Sequence, residues 1–130
     1  MSVKYTFQRK GNPNQPEAAK KWYAMAKSDG EITLKELCSE FTGMNDSAVL
    51  AMLNELVKSL NRHLADGKIV RLGDFGSFQI SFGSEGAETP EKFNEKFIRE
   101  KKVIFRPGKD VKKMLKTVEF EKSSENKSIT

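Results

Sequence analysis

Apolar and polar residues alternate most clearly in the middle of the chain. Phe78, Ile80 and Phe82 are separated by polar positions, a pattern typical of a strand with one buried face. We therefore predict a strand over residues 77–82, preceded by a strand over residues 69–72. The turn between them contains two glycines, and Val103 and Phe105 mark a returning strand. Together these segments predict a small antiparallel sheet.

Helical periodicity dominates the segment before this sheet. Residues 33–36, Thr-Leu-Lys-Glu, form a capping box that predicts the start of a short helix. Asn45, Asp46 and Ser47 are competent N-caps for a second helix of about four turns, and Gly67 suits its C-terminus. The apolar stripe of this helix exceeds what the local core can bury, so either a second subunit or the N-terminal extension must cover it. Of the two we favour the second subunit and predict a homodimer. The predicted dimer contacts are Met52, Leu53, Leu56, Val57, Leu60 and Leu64.

Both ends of the chain also carry patterns. Val3, Tyr5 and Phe7 alternate and predict a strand. Pro16 is followed by Ala19, Trp22, Tyr23 and Ala26 at helical spacing, which predicts a helix whose aromatic residues pack on a core. A stacking platform for single strands is the alternative for the two aromatic residues. Near the C-terminus, Val118 and Phe120 fit either the end of a helix or a last strand. Residues 123–130 are short and polar, and we expect a disordered tail.

Composition and charge narrow the class of protein. The chain has 130 residues and a net charge of +5, with the excess of lysine and arginine in residues 1–27 and 101–122. Such asymmetry favours a footprint for phosphate, although solvated ends would look the same. One cysteine excludes an internal disulfide. The lack of a leader or of about 18 consecutive apolar residues leads us to expect a cytoplasmic location.

Catalytic and metal chemistry have little support in the sequence. His63 is the only histidine, and we expect it at the surface of the second helix. Cys38 lies between apolar positions and is expected to be a buried structural thiol. Without a second histidine or a cysteine cluster, an ordinary zinc site cannot be assembled. We therefore expect no enzyme activity, no metal and no cofactor.

The basic turn Arg106-Pro107-Gly108-Lys109 is the stronger chemical signal. Pro and Gly fix a turn at the start of a helix, whose free N–H groups attract phosphate. Lys112 and Lys113 place two more charges on the same helix. A solubilising helix is the alternative, but the turn and the charge cluster favour phosphate contact.

These residues also carry a family resemblance. The segment VRLGDFGSF resembles the strand-turn-strand signature of the HU/IHF family of bacterial histone-like DNA-binding proteins, and RPGK with the following helix is similar to that family's basic turn. Residues 1–30 resemble the N-terminal extension of a longer, Bacteroidetes-type branch. The resemblance implies an α+β, IHF-like fold, in which a helix pair packs on a three-stranded antiparallel sheet with a β-ribbon arm, within an intertwined homodimer. We expect a strand-helix extension over residues 1–30 and an HU-like domain over residues 31–122, with the arm at about 83–100.

The resemblance also implies a DNA-binding surface. Its expected residues are Arg71, Gly76, Ser77, Pro90, Lys92, Lys96, Arg99, Lys101, Lys102, Arg106, Pro107, Gly108, Lys109, Lys112 and Lys113. Two departures from the family pattern weaken this surface. Asp74 stands where commoner members have glycine, and the arm is net acidic rather than arginine-rich. Pro90 is either a wedge between base pairs or part of a short packed hairpin, and Phe93, Phe97 and Ile98 look too apolar for a free arm.

These patterns predict a non-enzymatic protein that binds double-stranded DNA with little sequence preference. Its expected role is architectural and nucleoid-associated, with weaker bending than a typical family member. One alternative is a sequence-specific regulator that uses residues 1–30 and the helix pair as a reader. Another is a protein-interaction module that has lost strong DNA affinity, as the acidic arm and Asp74 indicate.

Overall fold

A computed structural model describes residues 1–11, 14 and 20–123. These residues form two compact units, one made of Met1–Thr33 with the chain from Lys116 onward, and the other of Leu34–Leu115. Each unit contains one three-stranded sheet. The molecule is therefore a mixed α+β protein, as predicted. None of the helices in the described part of the chain is long and apolar enough to cross a membrane.

The first unit is a sheet in the order β2-β1-β6. Strand β1 (Ser2–Lys10) pairs antiparallel with β2 (Lys21–Lys27) and parallel with β6 (Glu119–Lys122). The strand predicted at the N-terminus is confirmed, and Phe120 lies in the terminal strand, one of its two predicted states. The backbone N–H of Ser123 donates to the Tyr5 carbonyl at 2.9 Å, so the sheet includes the first residue of the expected tail. The rest of the tail lies outside the described residues.

The helix predicted around Trp22 and Tyr23 is wrong, because residues 21–27 form β2. Trp22, Ala24 and Ala26 also fit an alternating pattern, with Tyr23 and Met25 on the other face. The exposed ladder of β1 offers these residues hydrogen bonds along seven paired positions, and tertiary pairing overrides local helical spacing. Pro16 and Ala19, which completed the helical pattern, lie outside the described residues.

The second unit joins three helices to a sheet in the order β3-β4-β5. Helix α1 (Leu34–Ser39) packs on α2 (Asp46–Ala65), and α2 contacts β3 (Val70–Leu72) and β4 (Gly76–Ser84). The Asn45 side-chain oxygen caps α2 by accepting from the N–H groups of Ser47 and Ala48, at 2.9 and 3.2 Å. Gly67, with φ of 81°, follows the end of α2 in the left-handed region, as predicted. Strand β5 (Ile98–Pro107) and helix α3 (Lys109–Leu115) complete the unit.

The core of this unit is thin. Among the described apolar side chains only Cys38, Val49 and Leu64 are buried, which confirms the expectation for Cys38. On α2, Met52, Leu56 and Val57 remain exposed at 72%, 41% and 46%. Leu53 and Leu60 are half-buried, and Leu64 lies in the protomer's own core rather than on an open surface. Much of the predicted dimer stripe is therefore uncovered within one chain.

The predicted β-ribbon arm is wrong for residues 85–97. Ladder pairing between β4 and β5 extends to Ser84 and Ile98. Beyond it the chain forms two short 3-10 turns, Pro90–Lys92 and Glu95–Phe97. The rings of Phe93 and Phe97 pack edge to face at 5.6 Å, and the Asn94 side chain caps the second turn. The edge-to-face contact between the two rings favours a folded tip over an extended ribbon, which is the alternative that the apolar residues indicated.

Candidate nucleic-acid interface

Three polar residues form a row across the sheet of the second unit. Ser77 on β4 pairs directly with Arg71 on β3 and with Arg106 on β5. Directly opposed residues place their side chains on the same face of a sheet. Both arginines are exposed, and Ser77 between them is half-buried. The row therefore presents two guanidinium groups with a hydroxyl between them.

A hollow of about 200 Å³ opens beside this row. Six of the predicted site residues line it, together with three that were not predicted: Arg71, Gly76, Ser77, Arg106, Pro107 and Gly108, with Ile69, Gly73 and Gln79. Gln79 lies two residues after Ser77 on β4, so simple alternation would have placed it on this face. The predicted corner is thus assembled from three strands and the turn before α3.

Backbone hydrogen bonds hold the corner together. The turn between β3 and β4 meets the start of α3, where Gly108 N–H donates to the Phe75 carbonyl at 2.9 Å. Asp110 N–H donates to the Asp74 carbonyl at 3.0 Å. Under the corner the Phe105 ring packs against Phe75 and Phe78, with centroid distances of 5.3 and 5.0 Å. These contacts fix the position of Arg106 relative to the β3–β4 turn.

Two glycines make this close approach possible. A Cβ on Gly76 would lie 2.5 Å from the Arg106 carbonyl oxygen, and its φ of 150° suits glycine. A Cβ on Gly108 would lie 2.4 Å from the Asp74 carbonyl oxygen. Both glycines were predicted as contacts to DNA, and the structure gives each of them a packing role within the corner.

The sequence predicted free backbone N–H groups at the start of α3, and the structure differs from this prediction. The N–H groups of Gly108 and Asp110 already donate within the fold, so neither is available to phosphate. Side chains supply the positive charge instead. Residues 101–113 hold six lysines and arginines and one aspartate, and Lys109, Lys112 and Lys113 share one face of α3 at helical spacing.

A bulge in β5 determines which other cations share the face of Arg106. Ser81 pairs with Lys102, whereas Gly83 pairs with Arg99, so β5 contains one extra residue between these pairs. The extra residue reverses the alternation and places Arg99 on the same face as Lys102 and Arg106. We call Arg71, Arg99, Lys102 and Arg106 the cation face. Lys101 lies within the bulge, opposite Phe82, and not on this face.

Glu100 adopts an unusual conformation at the bulge. Its φ is 56°, the left-handed region that glycine usually occupies in this type of bulge. Its carboxylate oxygen lies 3.4 Å from where a Cβ on Gly83 would stand. The side chain therefore fills the space that Gly83 leaves open, and the backbone carries strain.

Replacing Glu100 with glycine is expected to stabilise the protein. A residue other than glycine in the left-handed region costs about 1–2 kcal/mol of folding free energy. Glycine in its place costs about 0.5–1 kcal/mol, because glycine loses more conformational entropy on folding. The free energy of unfolding should rise by roughly 0.5–1 kcal/mol in urea denaturation. Glu100→Ala is the control, because it removes the carboxylate and keeps the strain. Equal effects of the two changes would assign the gain to charge rather than to the backbone.

Two of the predicted residues near the tip form ion pairs with glutamates. Arg99 forms an ion pair with Glu85 at 2.8 Å, and Lys92 forms one with Glu88 at 3.2 Å. Pro90 opens the first 3-10 turn, with Glu91 next to it. Lys96 lies in the second turn. Residues 85–97 hold four glutamates and two lysines, so the tip has a net negative charge.

Side chains that could bind a metal ion do not cluster in the described chain. His63 is exposed on α2, as expected. No three histidine, cysteine, aspartate or glutamate side chains come close enough to hold a metal ion among residues 1–11, 14 and 20–123.

Comparison with known proteins adds a family and a fold. A family model described as HU-HIG, an HU domain fused to wHTH, Ig, or glycine-rich motif, matches residues 1–122. Among solved structures, the chain is similar to a "putative bacterial DNA binding protein" from Bacteroides vulgatus ATCC 8482, with a TM-score of 0.61 and 10% identity. The match covers 93% of this chain and 47% of the Bacteroides vulgatus chain, so this chain spans about half the length of the protein that it matches. Curated proteins give no significant match.

Proposed function

The chain belongs to the HU-HIG family, and from that premise we propose that it binds double-stranded DNA through the cation face and the lysines of α3. The observation that carries the proposal is the row of Arg71, Ser77 and Arg106 across three strands. Guanidinium groups and a hydroxyl are common donors to phosphate oxygens. The similarity to a structure titled as a DNA-binding protein supports the same partner class.

The proposed binding is largely independent of sequence. Reading bases requires side chains that reach base edges in a groove, such as asparagine, glutamine or bidentate arginine on an inserted element. The cation face lies on strands β3 and β5 of a sheet rather than on a helix. Phosphate contacts position a protein on the duplex and carry no sequence information directly. A nucleoid-associated, architectural role follows from such binding.

The proposed active form is a homodimer. Met52, Leu56 and Val57 on α2 are exposed in one chain, and so are Ile80 and Val103 on the face of the sheet opposite the cation face. Apolar surface of this extent is characteristic of an interface. A second copy would bury it and present two cation faces to one duplex.

The folded tip suggests weak bending. Wedge insertion needs an apolar residue at the end of an arm that lies in the minor groove. Here Pro90 lies in a 3-10 turn beside glutamates, and Arg99 is paired with Glu85. Like charge repels the tip from phosphate. We therefore leave Pro90, Lys92 and Lys96 out of the proposed interface.

A protein-interaction module is the second candidate, and the acidic tip is the observation that favours it. An exposed aromatic side chain, Phe93 at 42%, lies among glutamates there. Duplex binding at low salt discriminates between the candidates, because a module without DNA affinity would remain unbound.

The test is fluorescence anisotropy of a labelled random duplex of about 30 base pairs, titrated at several salt concentrations. Changing Arg106, Lys109 and Lys113 to alanine should weaken binding at least tenfold for every sequence. The slope of log affinity against log salt should fall by about one for each lost contact. The control variant changes Arg62, Lys35 and Lys58, on α1 and α2, and removes the same charge. Equal weakening by both variants would reduce the effect to net charge and contradict the proposed interface.

A further inference from the structure

One face of the sheet in the first unit carries aromatic rings in regular order. The register places Val3, Tyr5, Phe7 and Arg9 of β1 on this face, and each is opposed by residues of β2 or β6. Trp22 is opposite Arg9, and Phe120 is opposite Val3. Each opposed pair on this face therefore contains one ring. Along the strand direction the rings follow in the order Trp22, Phe7, Tyr5, Phe120. We call this surface the ring face.

The spacing of the rings is set by strand geometry. Two residues along a strand advance about 6.8 Å, so the four rings follow one another along the strand direction, from the edge strand β2 through β1 to the edge strand β6. Alanine residues 24 and 26 stand opposite Phe7 and Tyr5 and leave room beside them. Trp22 and Phe120 are exposed at 47% and 74%. Tyr5 and Phe7 are half-buried, and their rings meet edge to face at 5.6 Å.

The charges on the ring face are positive. The Arg9 guanidinium lies over the Trp22 ring at 5.8 Å, and the Lys122 ammonium lies over the Phe7 ring at 5.6 Å. Both cations are exposed. Within the three strands the acids Glu119 and Glu121 oppose Ser2 and Lys4, which places them on the other face. The ring face therefore combines stacking surfaces with cations and carries no strand carboxylate.

We propose that the ring face binds a single-stranded nucleic acid segment of about four nucleotides. Bases stack on the four rings, and Arg9 and Lys122 turn to the phosphates. Aromatic rings on a sheet beside cations are the general device by which proteins hold single strands without sequence preference. The ring face shares no residue with the cation face, so its test does not depend on duplex binding.

Trp22 gives a direct probe, because it is the only tryptophan in the chain. The full chain is titrated with oligo(dT) and oligo(U) of twelve nucleotides while tryptophan emission is recorded. Saturable quenching by either strand supports the proposal, and the two arms show whether DNA or RNA binds more tightly. If the emission changes with protein concentration but not with added oligonucleotide, a second copy of the chain covers the ring face, and the proposal is wrong.

Matched variants test which face is used. Anisotropy of a labelled oligo(dT) is measured for Trp22→Ala and Phe120→Ala, with Tyr23→Ala as the control. Tyr23 adjoins Trp22 and is equally exposed at 48%, but it lies on the opposite face. The two ring-face changes should each weaken binding about tenfold, as loss of one stacked base does, and the control should leave it unchanged. Equal loss in all three variants, or none in any, would refute the proposal.

The background for this comparison is the variant that lacks Arg106, Lys109 and Lys113. It lowers the attraction of the second unit for nucleic acid, so a further loss of strand binding on changing Trp22 or Phe120 reports on the ring face. Retained binding of oligo(dT), with duplex binding lost, supports two separate sites. Loss of both ligands in this background would show that single strands bind the second unit, and would contradict the proposal.

Discussion

Replacing Gly108 with alanine should destabilise the protein by about 1–3 kcal/mol, the usual cost of overpacking, and should weaken duplex binding as well. The new Cβ would lie 2.4 Å from the Asp74 carbonyl oxygen and 3.0 Å from the Gly76 nitrogen. Both neighbours are backbone atoms, which cannot swing away as a side chain would. Relief therefore requires the β3–β4 turn to separate from α3. That movement breaks the hydrogen bonds that Gly108 and Asp110 donate to this turn.

Thermal denaturation and duplex anisotropy measure the two effects. Gly86→Ala is the control, because a Cβ at Gly86 meets nothing within 4 Å. We expect the Gly108 variant to have a lower Tm than the unchanged protein, and the Gly86 variant to keep the same Tm. The Gly108 variant should also bind the duplex more weakly at temperatures where it is folded. A variant with an unchanged Tm would mean that the turn and α3 are not held together as the hydrogen bonds indicate. A lower Tm with unchanged affinity would mean that the corner does not position Arg106 for DNA.

The local parts of this fold were predictable because their signals lie in adjacent residues. Asn45 caps α2, Gly67 follows its end, and the two-glycine turn lies between β3 and β4. Each feature is decided by a few backbone angles that the local residue types favour. The order of elements in the second unit follows from these boundaries.

The first unit was harder to predict because its partners are distant in sequence. Ser2 and Glu121 are hydrogen-bonded across 119 positions, and strand β2 exists because β1 offers it a ladder. A window of residues around Trp22 satisfies a helical and an alternating pattern equally well. Only the partner strand decides between them, and a single local pattern contains no information about that partner.

The candidate interface shows the same division. Arg106, Pro107 and Gly108 were recognisable as a basic turn, and Ser77 follows a glycine corner. The bulge was not predictable, because glutamate in a left-handed conformation leaves no sequence signal. Without the bulge, Arg99 would share a face with Val103 and Phe105 instead of Lys102 and Arg106. One extra residue thus changes which charges act together.

Substituting aspartate for Leu56 should abolish the proposed homodimer. Leu56 is 41% exposed within one chain, so a monomer could carry a carboxylate there in contact with water. In a dimer that buries α2 the same carboxylate would be unpaired and dehydrated. An uncompensated buried charge costs about 3 kcal/mol or more, which is roughly two orders of magnitude in Kd. The three buried apolar side chains of the second unit suggest that the released monomer is only marginally stable.

Sedimentation equilibrium and concentration-dependent melting measure this effect. Asn54→Asp is the matched control, because it adds the same charge on the exposed, opposite side of α2. The control should keep the mass of two chains and a Tm that rises with protein concentration. The Leu56 variant should have the mass of one chain and a lower Tm that does not depend on concentration. If it kept both the mass of two chains and the stability of the control, α2 would not form the interface, and the exposed face of the sheet around Ile80 and Val103 would be the remaining surface for a second copy.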